Sequence, residues 1–264
     1  MIISIFAKDG AGKSTLAISL AEYYAKQENF TGLISAETRY GAIQRKLNIN
    51  IPDKKSLLQA VLNPDSVGEC FVKDEKRNIY VLSMPDSATV KDYDTATALL
   101  GETSSHQTEE QLKKADIFIS SLKDAFDILI IDLTDRITDP LTYSFISSSD
   151  HVIKIITADI DGTAFCNAHT MLKDLSIMQN KTINILNKNE EKIINASTIE
   201  KLISEKIDVI IPYDEQILIN SYDTSESTGK NMQNAVREIN ALLFPSEKQE
   251  KKKGFLRSLS KRYF

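Results

Sequence analysis

Apolar residues along the chain fall into short runs separated by segments of helical periodicity. The runs at residues 2–6, 32–36, 79–82, 127–132, 151–157, 182–187 and 207–211 are short and mostly Ile, Val and Leu, which predicts buried strands. Amphipathic stretches near 14–28, 54–62, 107–125, 139–147, 161–178, 195–205 and 228–243 predict helices between them. Alternation of this kind predicts an α/β fold: a single doubly wound, mostly parallel sheet with helices on both faces. There is no fixed-period repeat, and no low-complexity linker before Pro245. The charged run KDEKR (73–77) reads as a solvated turn before the third strand.

The first strand–helix unit carries chemistry. AKDGAGKST (Ala7–Thr15) joins the first strand to the first helix, and Gly10 and Gly12 permit a tight turn. Such a loop aims backbone N–H groups and a helix N-terminus at an anion. Asp9, Gly10, Ala11, Gly12, Lys13, Ser14 and Thr15 would cradle the phosphates of a nucleotide. Lys13 would reach the β- and γ-phosphates, and the Ser14 hydroxyl would ligate Mg²⁺. The pattern G-x-x-x-x-G-K-[ST] lacks its first glycine, which is Ala7 here. Lys8 is surplus to the loop's needs. A second motif, FDILIIDLTD (126–135), ends a strand on Asp132, where a carboxylate can hold the Mg²⁺ shell directly or through a water.

Composition narrows the setting. With 42% hydrophobic and 26% charged residues the 264-residue chain is of ordinary globular type, and no apolar run is long enough to span a bilayer. A phosphate loop beginning at residue 7 leaves no room for a signal peptide. Cys70 and Cys166 are the only cysteines and lie far apart, which indicates no disulfide framework and a reducing cytosol. His106, His151 and His169 show no metal-ligand spacing. The net charge of −5 is unevenly spread: from Phe244 onward seven basic residues face two acids, a net +5, so the body carries −10. In KKKGFLRSLSKRYF (251–264), Phe255, Leu256 and Leu259 share one side of a helical wheel. Arg257, Lys261 and Arg262 share another. That pattern predicts an in-plane membrane helix, weak alone and stronger when two are tethered.

The two motifs resemble the deviant Walker A ATPases of the MinD/ParA family, whose loop runs K-G-G-x-G-K-[ST]-[ST] and here reads Lys8–Thr15. The resemblance is nearest to MinD and extends over essentially the whole chain. It implies that Lys8 crosses a dimer interface to the phosphates bound by the other subunit, with two ATP molecules between two monomers. It further implies that Asn187 and Lys188 of INILNKNEE (183–191) lie near the adenine. Pro212, Tyr213 and Asp214 of VIIPYDEQ (209–216) would lie against the base. Glu37 stands where the family has the second Asp of Asp-x-Asp, and would position the attacking water, with Lys8 and Lys13 as the catalytic cations. Ser35 takes the place of the first Asp. Asp9 replaces a loop glycine, and LTDR (133–136) lacks the proline common after the family's Asp. The C-terminal Lys253–Leu259 is similar to MinD's Gly-Phe-Leu-basic segment.

The combined reading is a P-loop ATPase domain (1–244), a basic linker (245–253) and an amphipathic membrane-targeting helix (254–264). The expected cofactors are ATP and Mg²⁺, with hydrolysis slow and partner-stimulated. The expected partners are a second copy of the chain, an anionic membrane surface and an activating protein. The location is cytoplasmic and peripheral on the inner face of the cell membrane. Such proteins position a division site or a pilus, flagellar or conjugation apparatus. The alternatives are a ParA-type partition ATPase that binds nonspecific DNA, which a body of −10 disfavours, and a metabolic P-loop enzyme or tyrosine autokinase. For the autokinase only Tyr263 is available in the tail.

Overall fold

A central strand buried on both faces organises the molecule. The structure, a computed structural model, describes residues 1–36, 42–85, 87–88, 109–123, 125–137, 139–168, 182–190, 194–213 and 229–245. Strands β1 (Ile2–Phe6), β2 (Thr31–Ser35), β3 (Val72–Asp74), β4 (Ile79–Leu82), β5 (Ile128–Asp132), β6 (His151–Thr157), β7 (Thr182–Asn189) and β8 (Val209–Pro212) form one sheet in the order β3-β4-β2-β5-β1-β6-β7-β8. Every pairing is parallel except β3 with β4. The predicted doubly wound, mostly parallel sheet is therefore present. Each predicted strand is there within two residues, and β3 is an addition.

The helices are α1 (Lys13–Ala25), α2 (Ala42–Leu47), α3 (Leu57–Leu62), a 3₁₀ segment (Pro64–Cys70), α4 (Glu109–Lys123), α5 (Pro140–Ser148), α6 (Ile160–Ala168), α7 (Ala196–Ile203) and α8 (Lys230–Leu243). Alternate residues of β1 feed opposite cores. Ile3 and Ile5 pack with α1, α2 and α8, whereas Ile2 and Phe6 pack with α3, the 3₁₀ segment, α4 and α5. A smaller cluster sets Cys166 of α6 and Ile199 and Ile203 of α7 over Ile156 and Leu186. Helix α1 is buried nearly all round, through Leu16, Ala17, Leu20, Ala21 and Tyr24, because α8 covers the side that the sheet does not. Met232, Ala235, Val236, Ile239 and Leu243 recur every three or four residues on α8 and make that cover.

The run 73–77 is the expected turn, with Lys73, Glu75 and Lys76 exposed, but two of its charges, Asp74 and Arg77, turn inward. Asp74 ends β3, and its Oδ1 accepts the backbone N–H groups of Lys76 and Arg77, an Asx turn that reverses the chain into β4. Arg77 then folds inward. Its Nε donates to Glu22 of α1 at 2.7 Å and its Nη1 to Asp74 at 2.8 Å. The side chains of Arg77, Glu22 and Asp74 are 7%, 7% and 4% exposed. The same Nη1 donates to the Leu47 carbonyl at the end of α2. A run of charges, which usually coats a surface, here supplies a buried ion-pair network joining α1, α2 and the sheet edge.

The switch in winding direction falls at β1 and β5. The chain leaves β1 through α1 toward β2 on one side, and leaves β5 through α5 toward β6 on the other. Ligands in open α/β sheets bind at the carboxyl ends of such strands. Both sequence motifs end there. Among the described residues no helix is long and apolar enough to cross a membrane.

Candidate nucleotide-binding site

The loop between β1 and α1 owes its shape to two left-handed glycines. Gly10 has φ 78° and Gly12 has φ 98°, and Gly12 is the N-cap of α1 without any side-chain cap. The first N–H groups of α1 are thus left to a ligand. A Cβ on Gly12 would lie 2.4 Å from the Asn187 Nδ2, so a side chain there meets both an unfavourable φ and a close neighbour.

That neighbour braces the loop. Asn187, near the end of β7, donates through Nδ2 to the Ala11 carbonyl at 2.7 Å, and Lys188 Nζ donates to the Gly10 carbonyl at 2.7 Å. Lys188 takes a left-handed backbone, φ 56°, in the β-bulge between Asn187 and Asn189. With two carbonyls held by these donors and the Ala11 N–H on the Lys8 carbonyl, the shape of the loop is fixed. Pro212 pairs with Asn189 and the Tyr213 N–H donates to the Asn189 carbonyl, so the segment 212–213 borders the same loop. Asn187, Lys188, Pro212 and Tyr213 are therefore neighbours at the ends of β7 and β8. The bracing contacts of Asn187 and Lys188 are with the phosphate loop. Asp214 lies outside the described residues, as does Glu37.

Four lysines converge. Lys13, buried, donates to the Ala7 carbonyl at 2.8 Å and pairs with Asp9 at 3.0 Å. The departure at residue 9 thus places a carboxylate directly on the loop's own lysine. Lys8 turns the other way, to Asp161 of α6 at 2.9 Å, with 35% of its side chain exposed. The Asp161 hydrogen bond raises the Lys8 pKa above the usual lysine value against an opposing desolvation. Asp159 lies beside this pair. It is held below the carboxylate range by hydrogen bonds from Thr157 and from the Gly162 N–H, which outweigh its desolvation. Gly162 is obligatory there, because a Cβ would sit 2.2 Å from Thr157 Oγ1. Between Asp159 and Asp161, Ile160 is 86% exposed. The third cation, Lys46 of α2, donates to Thr15 Oγ1 at 2.9 Å. Lys188 completes the group.

The residues present fit a magnesium-bound phosphate chain. Asp132 ends β5 at 4% exposure, its Cα paired with those of Ile5 and Ser35. The Ser35 hydroxyl is fully buried and makes no hydrogen bond among the described residues. Ser14 begins α1 beside Lys13. A hydroxyl, a carboxylate and an unsatisfied buried hydroxyl are oxygen donors of the kind a hard cation and its waters take.

No family model matches the sequence, and no curated protein matches it by sequence. Solved structures do match. The septum site-determining protein MinD of Pyrococcus horikoshii, complexed with Mg-ADP, superposes with a TM-score of 0.72 at 15% identity, over 92% of this chain and 96% of that one. The fold is that of the MinD/ParA ATPases. A ParA-family ATPase of Chlorobium tepidum gives a TM-score of 0.72 at 16% identity, covering 92% and 99%. An ATP complex of Cyanothece McdA gives 0.71 at 15%, covering 92% and 96%. Within this MinD/ParA fold Lys8, Lys13, Ser14 and Asp132 were legible as motif residues. Lys46 and Asp161 were not, since neither belongs to a motif and each meets the loop from a distant element.

Proposed function

We propose that the protein is a MinD-like ATPase that binds Mg-ATP in the β1–α1 loop, dimerises on ATP and binds an anionic membrane surface through residues 254–264. In this reading it positions cellular machinery and is reset by hydrolysis under an activating partner. The observation that carries it is the position of Lys8. Its ammonium is drawn off its own loop to Asp161, on a rim that also exposes Ile160. A cation needed by its own nucleotide would turn inward, as Lys13 does. One aimed outward beside an exposed isoleucine suits a second copy of the chain.

In the proposed site Lys13 and the N–H groups of the loop hold the β- and γ-phosphates, and the loop keeps its form through Asn187 and Lys188. Ser14 and Asp132 would hold Mg²⁺ and its waters, and the metal would supply positive charge to the phosphates. Lys8, once exchanged from Asp161 to the phosphates of the other subunit, adds charge where the transferring phosphoryl group needs it. Glu37 would orient the water. Asp9 opposes this by sharing Lys13, which fits slow, partner-dependent turnover. The membrane helix, the linker beyond Pro245, Glu37 and Asp214 lie outside the described residues, and their roles rest on the sequence. A DNA-partition role is disfavoured by the charge of the body.

The test is sedimentation onto vesicles containing phosphatidylglycerol, with ATP or ADP and Mg²⁺. ATP is expected to pellet the full chain, but neither a chain ending at Glu250 nor Lys8→Ala. Equal pelleting with both nucleotides, or a dispensable tail, sinks the membrane reading. A further expectation concerns the loop brace. Asn187→Ala leaves the Ala11 carbonyl without that donor, and should lower ATP affinity about tenfold with a stability loss of about 1–2 kcal/mol. Nucleotide titration and thermal unfolding measure the two, and unchanged affinity would show the brace to be unimportant.

A further inference from the structure

Lys46 is a cation of the site whose place neither motif explains. The helix that carries it is fixed from three directions. Ile43 and Leu47 enter the core against α1. The buried Gln44 donates through Nε2 to the Met84 carbonyl and accepts from Ser83 Oγ at 2.7 Å, just beyond β4. The end of α2 is closed by Asn48 at φ 54°, by the Ile49 N–H on the Gln44 carbonyl and by Arg77 on the Leu47 carbonyl. Lys46 is therefore held over the loop by a rigid support. Its ammonium lies 2.9 Å from the Thr15 hydroxyl, which is its only hydrogen bond among the described residues.

The charges around it are unevenly satisfied. Lys13 is shared with Asp9, and Lys8 with Asp161. Lys46 has a neutral hydroxyl for a partner and forms no ion pair among the described residues. Desolvation holds its pKa below the ordinary lysine value; Asp132 acts against that lowering and Lys188 adds to it. Lys46 is thus an exposed cation fixed at the first turn of α1, with Asp132 and Lys188 close enough to act on it electrostatically. A cation held at a helix N-terminus without a counter-ion favours an anion there.

We propose that Lys46 is a phosphate-chain ligand: a cis-acting cation, supplied by α2, that meets the bound nucleotide on the Asp132 side of the loop. It offsets the charge that Asp9 brings to Lys13. It also ties α2, and through Gln44 the end of β4, to whether a nucleotide is held. The inference rests on the nucleotide-binding reading of the loop.

Three variants separate this from a structural tether. Lys46→Gln keeps an N–H donor for Thr15 and loses the charge, Lys46→Arg keeps the charge, and Lys46→Met loses both. ATP and ADP affinities with Mg²⁺ are measured by calorimetric titration, and thermal unfolding is followed without nucleotide. Lys46→Gln and Lys46→Met are expected to lower affinity about tenfold or more, the loss of one charge-assisted contact. Lys46→Arg is expected to stay within about threefold, and all three chains should unfold near the wild-type temperature. Wild-type affinity in Lys46→Gln overturns the proposal, as does an equal fall in all three variants. If the wild-type chain itself binds neither nucleotide, the reading of the loop falls first and this one with it.

Discussion

Lys13→Ala is expected to lower ATP affinity about 10²–10³-fold at a modest cost in stability. The ammonium would serve two phosphates, and hydrogen bonds to charged groups are worth about 1.5–3 kcal/mol each. A loss of about 3–4 kcal/mol corresponds to that range of affinity. Stability should fall by only about 1–2 kcal/mol, for the buried Ala7 carbonyl that loses its donor, because the carboxylate Lys13 leaves behind is not stranded. Asp9 keeps 50% of its side chain in water and can be solvated. Calorimetric titration against ATP and urea unfolding of the same sample give both quantities. An affinity within about tenfold of wild type would remove Lys13 from the phosphate site. A large drop in stability would mean that its bonds to Ala7 and Asp9 hold the loop together.

Arg77→Met should have the opposite profile, a loss of about 3–5 kcal/mol of stability with little direct effect on nucleotide contacts. Glu22 and Asp74 are both buried, and each loses its guanidinium partner in this variant. The Leu47 carbonyl loses a donor as well. Against a total stability of about 5–15 kcal/mol for a typical domain, that is a large fraction. Urea unfolding should show an earlier midpoint with an unchanged slope. Adding Glu22→Gln should recover part of the loss, because the stranded charge then becomes a neutral amide. A single variant within about 1 kcal/mol of wild type would show that the network is solvated in practice. No recovery in the double variant would place the damage in the β3–β4 turn.

The contrast between these residues explains what was legible in the sequence. Lys13 and Asp132 were visible because each sits within a fixed local pattern, Lys13 opening α1 after the loop and Asp132 ending β5. The strands were visible because a parallel sheet covered on both faces needs near-continuous apolar runs, which Ile2–Phe6, broken only by Ser4, and Ile128–Ile131 supply. Arg77 was read as solvent-facing because the four residues before it are all charged; only the Asx turn of Asp74 and the distant Glu22 reveal that it points inward. Helix α2, AIQRKL, is too short for periodicity to separate it from a loop. Asp161 reaches Lys8 across 153 residues and Lys46 reaches Thr15 across 31, so both contacts are set by the fold and not by any local spacing.

The placement of β1 in the middle of the sheet has a consequence for how the chain becomes a protein at all. Ile2 is in register with Leu129, Ile3 with His151, and the Met1 ammonium bonds a carbonyl 126 residues away. The strand that carries the phosphate loop is synthesised before either strand that must flank it. At roughly 5–20 residues per second, its apolar residues wait on the order of ten seconds for their neighbours. Loop-closure entropy must be met before those distant pairings stabilise anything. The nascent chain therefore holds an apolar strand and the loop of its candidate nucleotide site open together, and both close when β5 and β6 arrive.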